Sequence, residues 1–155
     1  MNEQLTGEIE TVLAELRARW DARDLDRIRE LWDLDDDAPL YQPEELQEPL
    51  TSWDKIDEYW QSTESQSKRF SMRTWDLRVK PLGNEYAIAW YRMQWNGEIE
   101  GYDRPIGGQN RVSATLRRTP GGWRFCQLIE APIAPLLYMK WLYEKAVDAD
   151  FLNSD

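Results

Sequence analysis

Hydrophobic residues spaced three and four apart predict three helices in the first part of the chain. The first helix is predicted over residues 4–21, with one apolar face made of Leu5, Ile9, Val12, Leu13, Leu16 and Trp20. Asp24 is a favourable N-cap for a second helix, whose apolar positions are Leu25, Ile28, Leu31 and Trp32. Thr51 or Ser52 caps a third helix, buried through Trp53, Ile56, Tyr59 and Trp60. The polar run 61–68 then predicts a connector.

Beyond this connector the hydrophobic period changes to two, which indicates strands. Four long strands are predicted over residues 70–81, 85–96, 109–118 and 123–130. Residues 82–84 and 119–122 contain the glycine, asparagine and proline of tight turns, and the connector 97–108 is expected to be partly paired. Earlier in the chain, three prolines in residues 39–50 predict a pair of short edge strands around a loop. Pro132 and Pro135 open a last predicted helix over residues 136–147.

The order of these elements predicts an α+β fold. Three amphipathic helices must bury their apolar faces, and only the sheet is available to cover them. We therefore expect a cone-shaped, curved, mixed or antiparallel sheet wrapped around three helices, plus a C-terminal helix. A chain of 155 residues is the size of one domain, with a core over residues 5–131 and a helical extension over residues 132–150.

Charge narrows the range of partners and locations. The formal net charge is -10, and the acidic excess lies in residues 1–64, so binding to nucleic acid is not expected. No apolar run approaches the roughly 20 residues of a membrane span, so no membrane partner is expected. The polar, acidic N-terminus is not typical of a signal or transit peptide. A cytoplasmic protein is the resulting expectation.

The counts of histidine and cysteine exclude several kinds of chemistry. The chain has no histidine, which removes His–Asp general bases, Ser–His and Cys–His nucleophiles and histidine metal sites. Cys126 is the only cysteine, so it forms no intramolecular disulfide. The acidic run 33–37 lacks the glycine and distal glutamate of a calcium loop. We therefore expect a solvated loop there, with no metal and no cofactor.

Two stretches, ARDLDRIRELW at 22–32 and TLRRTPGGWRF at 115–125, carry a family resemblance. Together with the order of elements, they resemble the SnoaL-like proteins of the nuclear transport factor 2-like superfamily over residues 5–131. The resemblance implies an α+β cone, often dimeric, with a pocket between sheet and helices. The superfamily includes isomerases, polyketide cyclases, dehydratases, epoxide hydrolases and non-catalytic binding modules, so the fold does not fix the function.

The ketosteroid isomerases of this superfamily provide a test of individual positions. Their carboxylate base, which precedes a proline, matches Gln42 in the dipeptide Gln42-Pro43. Their oxyanion-hole tyrosine falls at Leu16 and their neutral acid at Ala114. Isomerase chemistry of that kind needs a base, a donor and a protonated acid. None of the three is present at these positions, so that reaction is not expected.

Strand alternation, matched to the superfamily, predicts the side chains that face the pocket. The inward positions are Ala89, Tyr91, Met93, Trp95, Val112, Ala114, Leu116, Phe125, Gln127 and Ile129. From the helices, the cone is closed by Leu16, Trp20, Trp32 and Trp60. Its few polar groups are Tyr41, Gln42, Tyr91 and Gln127. Such a pocket is suited to a small hydrophobic or aromatic molecule; the alternative is a cone packed solid by its aromatic residues.

The same alternation predicts an outer sheet face that mixes charges with one tryptophan. Its members are Thr74, Asp76, Arg78, Ile88, Trp90, Arg92, Arg111, Ser113, Thr115, Arg117, Cys126, Leu128 and Glu130. Aromatic residues and arginines are enriched in interface cores. We therefore predict a homodimer through this face. The last helix, rich in leucine and aromatic residues, is hypothesised to be a lid over the open end of the cone.

Candidate catalytic residues are Glu130, Tyr91 and Asp103. Glu130 lies in the apolar stretch LIEAPIAPL, and burial would raise its pKa into a useful range; the favoured alternative is an ion pair with Arg92 or Arg124. Asp103 could join Arg92 and a neighbouring arginine, Arg104, in a water-activating cluster like that of the epoxide hydrolases. Two functions stay open: a lyase, isomerase or hydrolase without histidine, or a non-catalytic carrier or accessory subunit like the small subunits of dioxygenases.

Overall fold

The computed structural model describes residues 3–133, 135–143 and 145–152. Its helices are α1 (Glu3–Asp21), α2 (Leu25–Ile28), α3 (Trp53–Gln66), α4 (Pro135–Leu142) and α5 (Ala149–Leu152), with a 3-10 turn at Arg29–Leu31. Its strands are β1 (Leu40–Gln42), β2 (Ser67–Leu82), β3 (Tyr86–Ile99), β4 (Ile106–Thr119) and β5 (Gly122–Pro132). No helix in the described ranges is long and apolar enough to span a membrane.

The five strands form one curved sheet in the order β1-β5-β4-β3-β2. β1 runs parallel to β5, and the remaining neighbours are antiparallel. The predicted mixed, curved sheet is thus confirmed. Its inner face packs against α1, α2 and α3, and the shared core includes Ile9, Leu13, Leu16, Ile28, Ile56, Trp60, Ala89, Tyr91, Val112, Ala114, Leu116 and Phe125.

Three elements differ in length from their predicted bounds. α3 continues to Gln66 through residues predicted as a connector, and there the hydroxyl groups of Thr63 and Ser65 donate to backbone carbonyls within the helix. β3 and β4 extend into the connector 97–108 and leave only residues 100–105 as a loop. The second predicted helix is one α turn followed by a 3-10 turn.

A β-bulge at Cys126 changes the direction of the side chains in β5. Leu116 pairs with Phe125, but the adjacent Thr115 pairs with Gln127, so Cys126 is an extra residue. Alternation reverses beyond it, because one added residue exchanges the two faces of a strand. The prediction that Gln127 and Ile129 face the interior is therefore wrong, and so is the outward placement of Leu128 and Glu130. Gln127 instead lies beside the hydroxyl of Thr115 on the outer face, at 3.0 Å.

A second bulge lies in β2, where Trp75 pairs with Arg92 and Arg78 pairs with Trp90. Asp76, inside this bulge, has a positive φ of 56°. Residues before it follow a different parity from residues after it. Thr74, predicted on the outer face, lies inside and accepts a hydrogen bond from the guanidinium of Arg17 on α1.

The predicted C-terminal helix is present but shorter than residues 136–147, since α4 ends at Leu142. Its described apolar side chains are exposed, with exposed fractions of 63% for Leu137, 52% for Met139 and 60% for Trp141. None of them covers the open end of the cone. These described side chains give the lid no support, and it stays a hypothesis.

Candidate functional site

A cavity of about 560 Å³ opens at the wide end of the cone, and we call it the mouth cavity. Aromatic and aliphatic side chains make up most of its wall, and three glutamates lie among them. Its lining residues are Trp20, Tyr41, Glu44, Glu45, Tyr59, Thr63, Gln66, Ser67, Phe70, Met72, Met93, Trp95, Ile99, Tyr102, Ile106 and Glu130. Its volume is in the range of pockets for small organic molecules.

Glu130 is the acidic group at the inner wall of this cavity. The bulge at Cys126 turns it inward, and partial exposure of the residue comes from the cavity it lines. The Tyr41 hydroxyl donates to Oε1 at 3.1 Å, and the Asn110 amide donates to Oε2 at 3.2 Å. Burial raises the pKa of Glu130 to about 8, and the charges of Glu45 and Glu44 add to this effect against the hydrogen bond from Tyr41.

The other two carboxylates follow β1 directly, at the rim of the cavity. The indole N–H of Trp95 donates to Glu44 Oε1 at 2.5 Å. The hydroxyl of Tyr59 donates to Glu45 Oε1 at 2.6 Å. Each rim carboxylate is therefore held by an aromatic side chain from β3 or α3.

Tyr91 lies deeper, at a small cavity of about 10 Å³ that shares five lining residues with the mouth cavity. Its buried hydroxyl has no hydrogen-bond partner among the described residues, and the same holds for Asn110 Oδ1. Burial, followed by the charge of Glu130, raises the pKa of Tyr91 well above its ordinary value. A volume of this size holds about one water molecule.

Aromatic rings pack around Trp32, next to this small cavity. Trp32 contacts Tyr41, Trp53, Trp60 and Phe125, with ring centroids 5.8 to 6.1 Å apart. The open pocket and the packed aromatic core, which were alternatives in the sequence, thus occur side by side in the same fold, and Tyr41 belongs to both.

Comparison with known proteins identifies the family. The family description "SnoaL-like domain" matches residues 9–133. This chain belongs to the SnoaL-like family. The fold of this SnoaL-like protein is similar to that of a solved protein of the nuclear transport factor 2-like superfamily, which is the fold that the sequence predicted. No curated protein matches the chain.

Three solved structures have a fold similar to that of this chain. A candidate scytalone dehydratase from Novosphingobium aromaticivorans superposes with a TM-score of 0.77 at 10% identity, covering 86% of this chain and 87% of its own. A superfamily protein from Salmonella enterica gives 0.74 at 14%, with 86% and 94% covered. A hexachlorocyclohexane dehydrochlorinase from Novosphingobium barchaimii gives 0.68 at 13%, with 83% and 86% covered. At these identities the similarity shows the fold.

The predicted ligand-binding residues of this SnoaL-like protein divide into five groups. Trp20, Tyr41 and Met93 line both cavities, whereas the deep cavity alone is lined by Leu16, Trp32 and Trp60. Val112 and Ala114 are fully buried in the core and line neither cavity. The amide of Gln42 donates to the carbonyls of Pro43 and Leu46. Gln127 and Ile129 lie outside, beyond the bulge.

The predicted catalytic residues lie in two different parts of the structure. Glu130 and Tyr91 come together at the deep cavity. Asp103 lies in the exposed loop between β3 and β4, outside the set that lines either cavity. Arg92 pairs with Asp76 at 3.4 Å, so the structure does not assemble the predicted cluster of Arg92, Asp103 and Arg104.

The favoured ion pair of Glu130 with Arg92 or Arg124 is absent from the described contacts. The partners of Glu130 are neutral, and the Arg124 guanidinium donates to a backbone carbonyl. This prediction is wrong because it assumed unbroken alternation in β5, which placed Glu130 on the outer face. No group of three or more His, Cys, Asp or Glu side chains in the described ranges could hold a metal ion.

Sequence reasoning missed most of the mouth cavity. Trp95 was predicted to face the pocket, but the following lining residues were not: Glu44, Glu45, Tyr59, Thr63, Gln66, Ser67, Phe70, Met72, Ile99, Tyr102 and Ile106. Many of them lie where α3, β3 and β4 extend beyond their predicted ends. The aromatic residues flanking the glycines of the connector 97–108 were the available signal.

Proposed function

We propose that this SnoaL-like protein binds a small hydrophobic or aromatic molecule in the mouth cavity and transfers a proton to or from it through Glu130. The observation that carries this proposal is the place of Glu130: a carboxyl group at the inner wall of an aromatic cavity, hydrogen-bonded to Tyr41 and Asn110. A lyase, isomerase or hydrolase reaction would use such a group.

The protonation behaviour of Glu130 supports this role. A pKa of about 8 lies near the pH at which a general acid or base works best. The protonated carboxyl can donate to a bound molecule, and the Tyr41 hydroxyl and Asn110 amide then stabilise the carboxylate that remains. Glu130 would take the place of the histidine that the chain lacks.

Similarity of fold gives only general support. The neighbours include proteins named as a dehydratase and a dehydrochlorinase, so the cone accommodates lyases. The reaction type of this chain is part of the proposal, as is its cytoplasmic location.

A binding assay tests whether the mouth cavity is the ligand site. Nile red, a neutral planar dye, should bind with increased fluorescence, and Thr63→Trp should weaken its affinity by about tenfold or more by filling the cavity. Gln61→Trp, an exposed change on the same helix, is the matched control. Equal binding by wild type and Thr63→Trp would place the dye elsewhere and contradict the proposal.

A turnover assay then tests Glu130. On any substrate found among small aromatic compounds, Glu130→Gln should lower kcat by about 10²-fold or more while binding of Nile red persists. The kcat profile of the wild type should show a working pKa near 8, the value for Glu130. Full activity in Glu130→Gln would remove this residue from the reaction.

A non-catalytic carrier or accessory module is the second candidate. It is favoured by the hydrogen bonds from protein groups that already occupy both oxygens of Glu130, and by the missing histidine. Under this candidate Nile red binds as above, and no compound bound in the cavity is turned over.

A further inference from the structure

The mouth cavity combines an aromatic wall with negative charge. Two carboxylates, Glu44 and Glu45, line it together with the protonated acid Glu130, and no arginine or lysine occurs among its described lining residues. Its aromatic members are Trp20, Tyr41, Tyr59, Phe70, Trp95 and Tyr102. An anionic ligand would meet two negative charges with no compensating positive charge in this set.

The rings occur in two groups. Phe70 stacks on Trp95 with centroids 6.1 Å apart and planes 4° apart, and it also contacts Trp20 at 5.1 Å. Tyr41 meets Tyr59 edge to face at 5.6 Å. Aromatic faces attract a cation that lies within about 6 Å of the ring centroid.

Each of the three glutamates accepts a hydrogen bond from an aromatic side chain of the cavity. Trp95 donates to Glu44, Tyr59 to Glu45 and Tyr41 to Glu130. The donors of these hydrogen bonds are neutral, so the negative charge of the rim carboxylates is not compensated by them. The hydrogen bonds fix the two rim carboxylates and Glu130 beside three aromatic side chains, so negative charge lies close to aromatic rings, and both attract a cation.

We propose that the mouth cavity takes a cationic ligand, an organic ammonium ion attached to an apolar or aromatic body. The ammonium group lies among the carboxylates and ring faces, and the apolar body packs against Met72, Met93 and Ile106. This inference rests on the proposed function only in taking the mouth cavity as the ligand site. The influence of Glu45 and Glu44 on the pKa of Glu130 reflects the same negative field.

The test compares two probes of the same shape. Phenyltrimethylammonium and its neutral carbon isostere, tert-butylbenzene, compete with Nile red at constant ionic strength. The cation should bind at least about tenfold more tightly. Glu44→Gln combined with Glu45→Gln should weaken the cation by about tenfold and change the neutral isostere by no more than about twofold. Glu48→Gln, exposed in the same loop, is the matched control and should alter neither affinity.

The outcomes separate this inference from the proposed function. If the neutral isostere competes as well as the cation, the ligand is not cationic, while the cavity remains a binding site. If Glu48→Gln weakens the cation as much as the double variant, the effect is general surface charge and the inference is overturned. If neither probe competes and Nile red fails to bind to the wild type, both proposals fall.

Discussion

At the scale of single residues, the position of Glu130 decides the character of the site. A carboxylic acid beside apolar groups keeps its proton unless something stabilises its charge. The Tyr41 hydroxyl offsets part of that effect, while Glu44 and Glu45 oppose ionisation. Tyr91 contributes a buried hydroxyl without a described partner, available to a water or ligand atom.

The raised pKa of Glu130 predicts a pH dependence of stability. Between the ordinary value of 4.5 and the folded value of about 8, the folded chain holds a proton that the unfolded chain has lost. Stability is therefore fully present below the lower value and is lost as pH rises through the upper one. From pH 5.5 to 7.5 the free energy of unfolding should fall by about 2–3 kcal/mol more in wild type than in Glu130→Gln.

Urea denaturation of both proteins at the two pH values measures this difference directly. The variant is its own control for all other carboxylates, because they titrate in both chains. Parallel pH dependence in the two proteins would mean that the acid is not held protonated in the fold.

At the scale of elements, the regular spacing of apolar residues predicted the helices and strands. The side chains that form the site, in contrast, are positioned where that spacing is interrupted. α1 and the alternating burial of β3 and β4 follow from spacing alone. The bulge at Cys126 adds one residue to β5, and nothing in the alternation of apolar and polar residues along that strand identifies it. That bulge decides whether Glu130 or its neighbours Gln127 and Ile129 face inward. Periodicity therefore predicted the cone and misplaced its acid.

Glycines in β4 allow side chains that line the cavity to approach the strand closely, and Gly108 offers a test of this. A Cβ added there would lie 2.8 Å from Trp95 Nε1 and 3.1 Å from Glu44 Oε1. Gly108→Ala should destabilise the protein by about 1–3 kcal/mol and weaken Nile red binding, because the ring must move. Gly7→Ala is the control: it meets open space on α1 and should add about 0.5–1 kcal/mol. If Gly108→Ala has the stability and the Nile red affinity of the wild type, then Trp95 is not held in place by this close approach.

At the scale of the whole molecule, the outer sheet face is the predicted homodimer surface. It presents Trp90 beneath the guanidinium of Arg78, 5.5 Å from the ring centroid, next to exposed Arg92 and Arg111. Such residues are favoured at the centre of interfaces. The dimer remains a proposal that follows from this composition and from the superfamily resemblance.

Sedimentation velocity at micromolar concentration tests the dimer. The wild type should sediment as two chains, and Trp90→Glu should sediment as one, because a charge would be buried at the centre of the interface. Trp141→Glu, on the exposed side of α4, is the control. A wild-type monomer contradicts the prediction, and a dimer that survives Trp90→Glu but not Trp141→Glu would move the interface to α4.

The central claim is that one carboxyl group in the aromatic cavity stays protonated near neutral pH. Titration of the glutamate side-chain carbons by ¹³C NMR, in wild type and Glu130→Gln, tests it most directly. We predict one resonance that titrates with a pKa near 8 and is absent from the variant. If every glutamate of the wild type titrates with a pKa of about 5 or lower, as this side chain ordinarily does, then Glu130 is not the acid–base group described here.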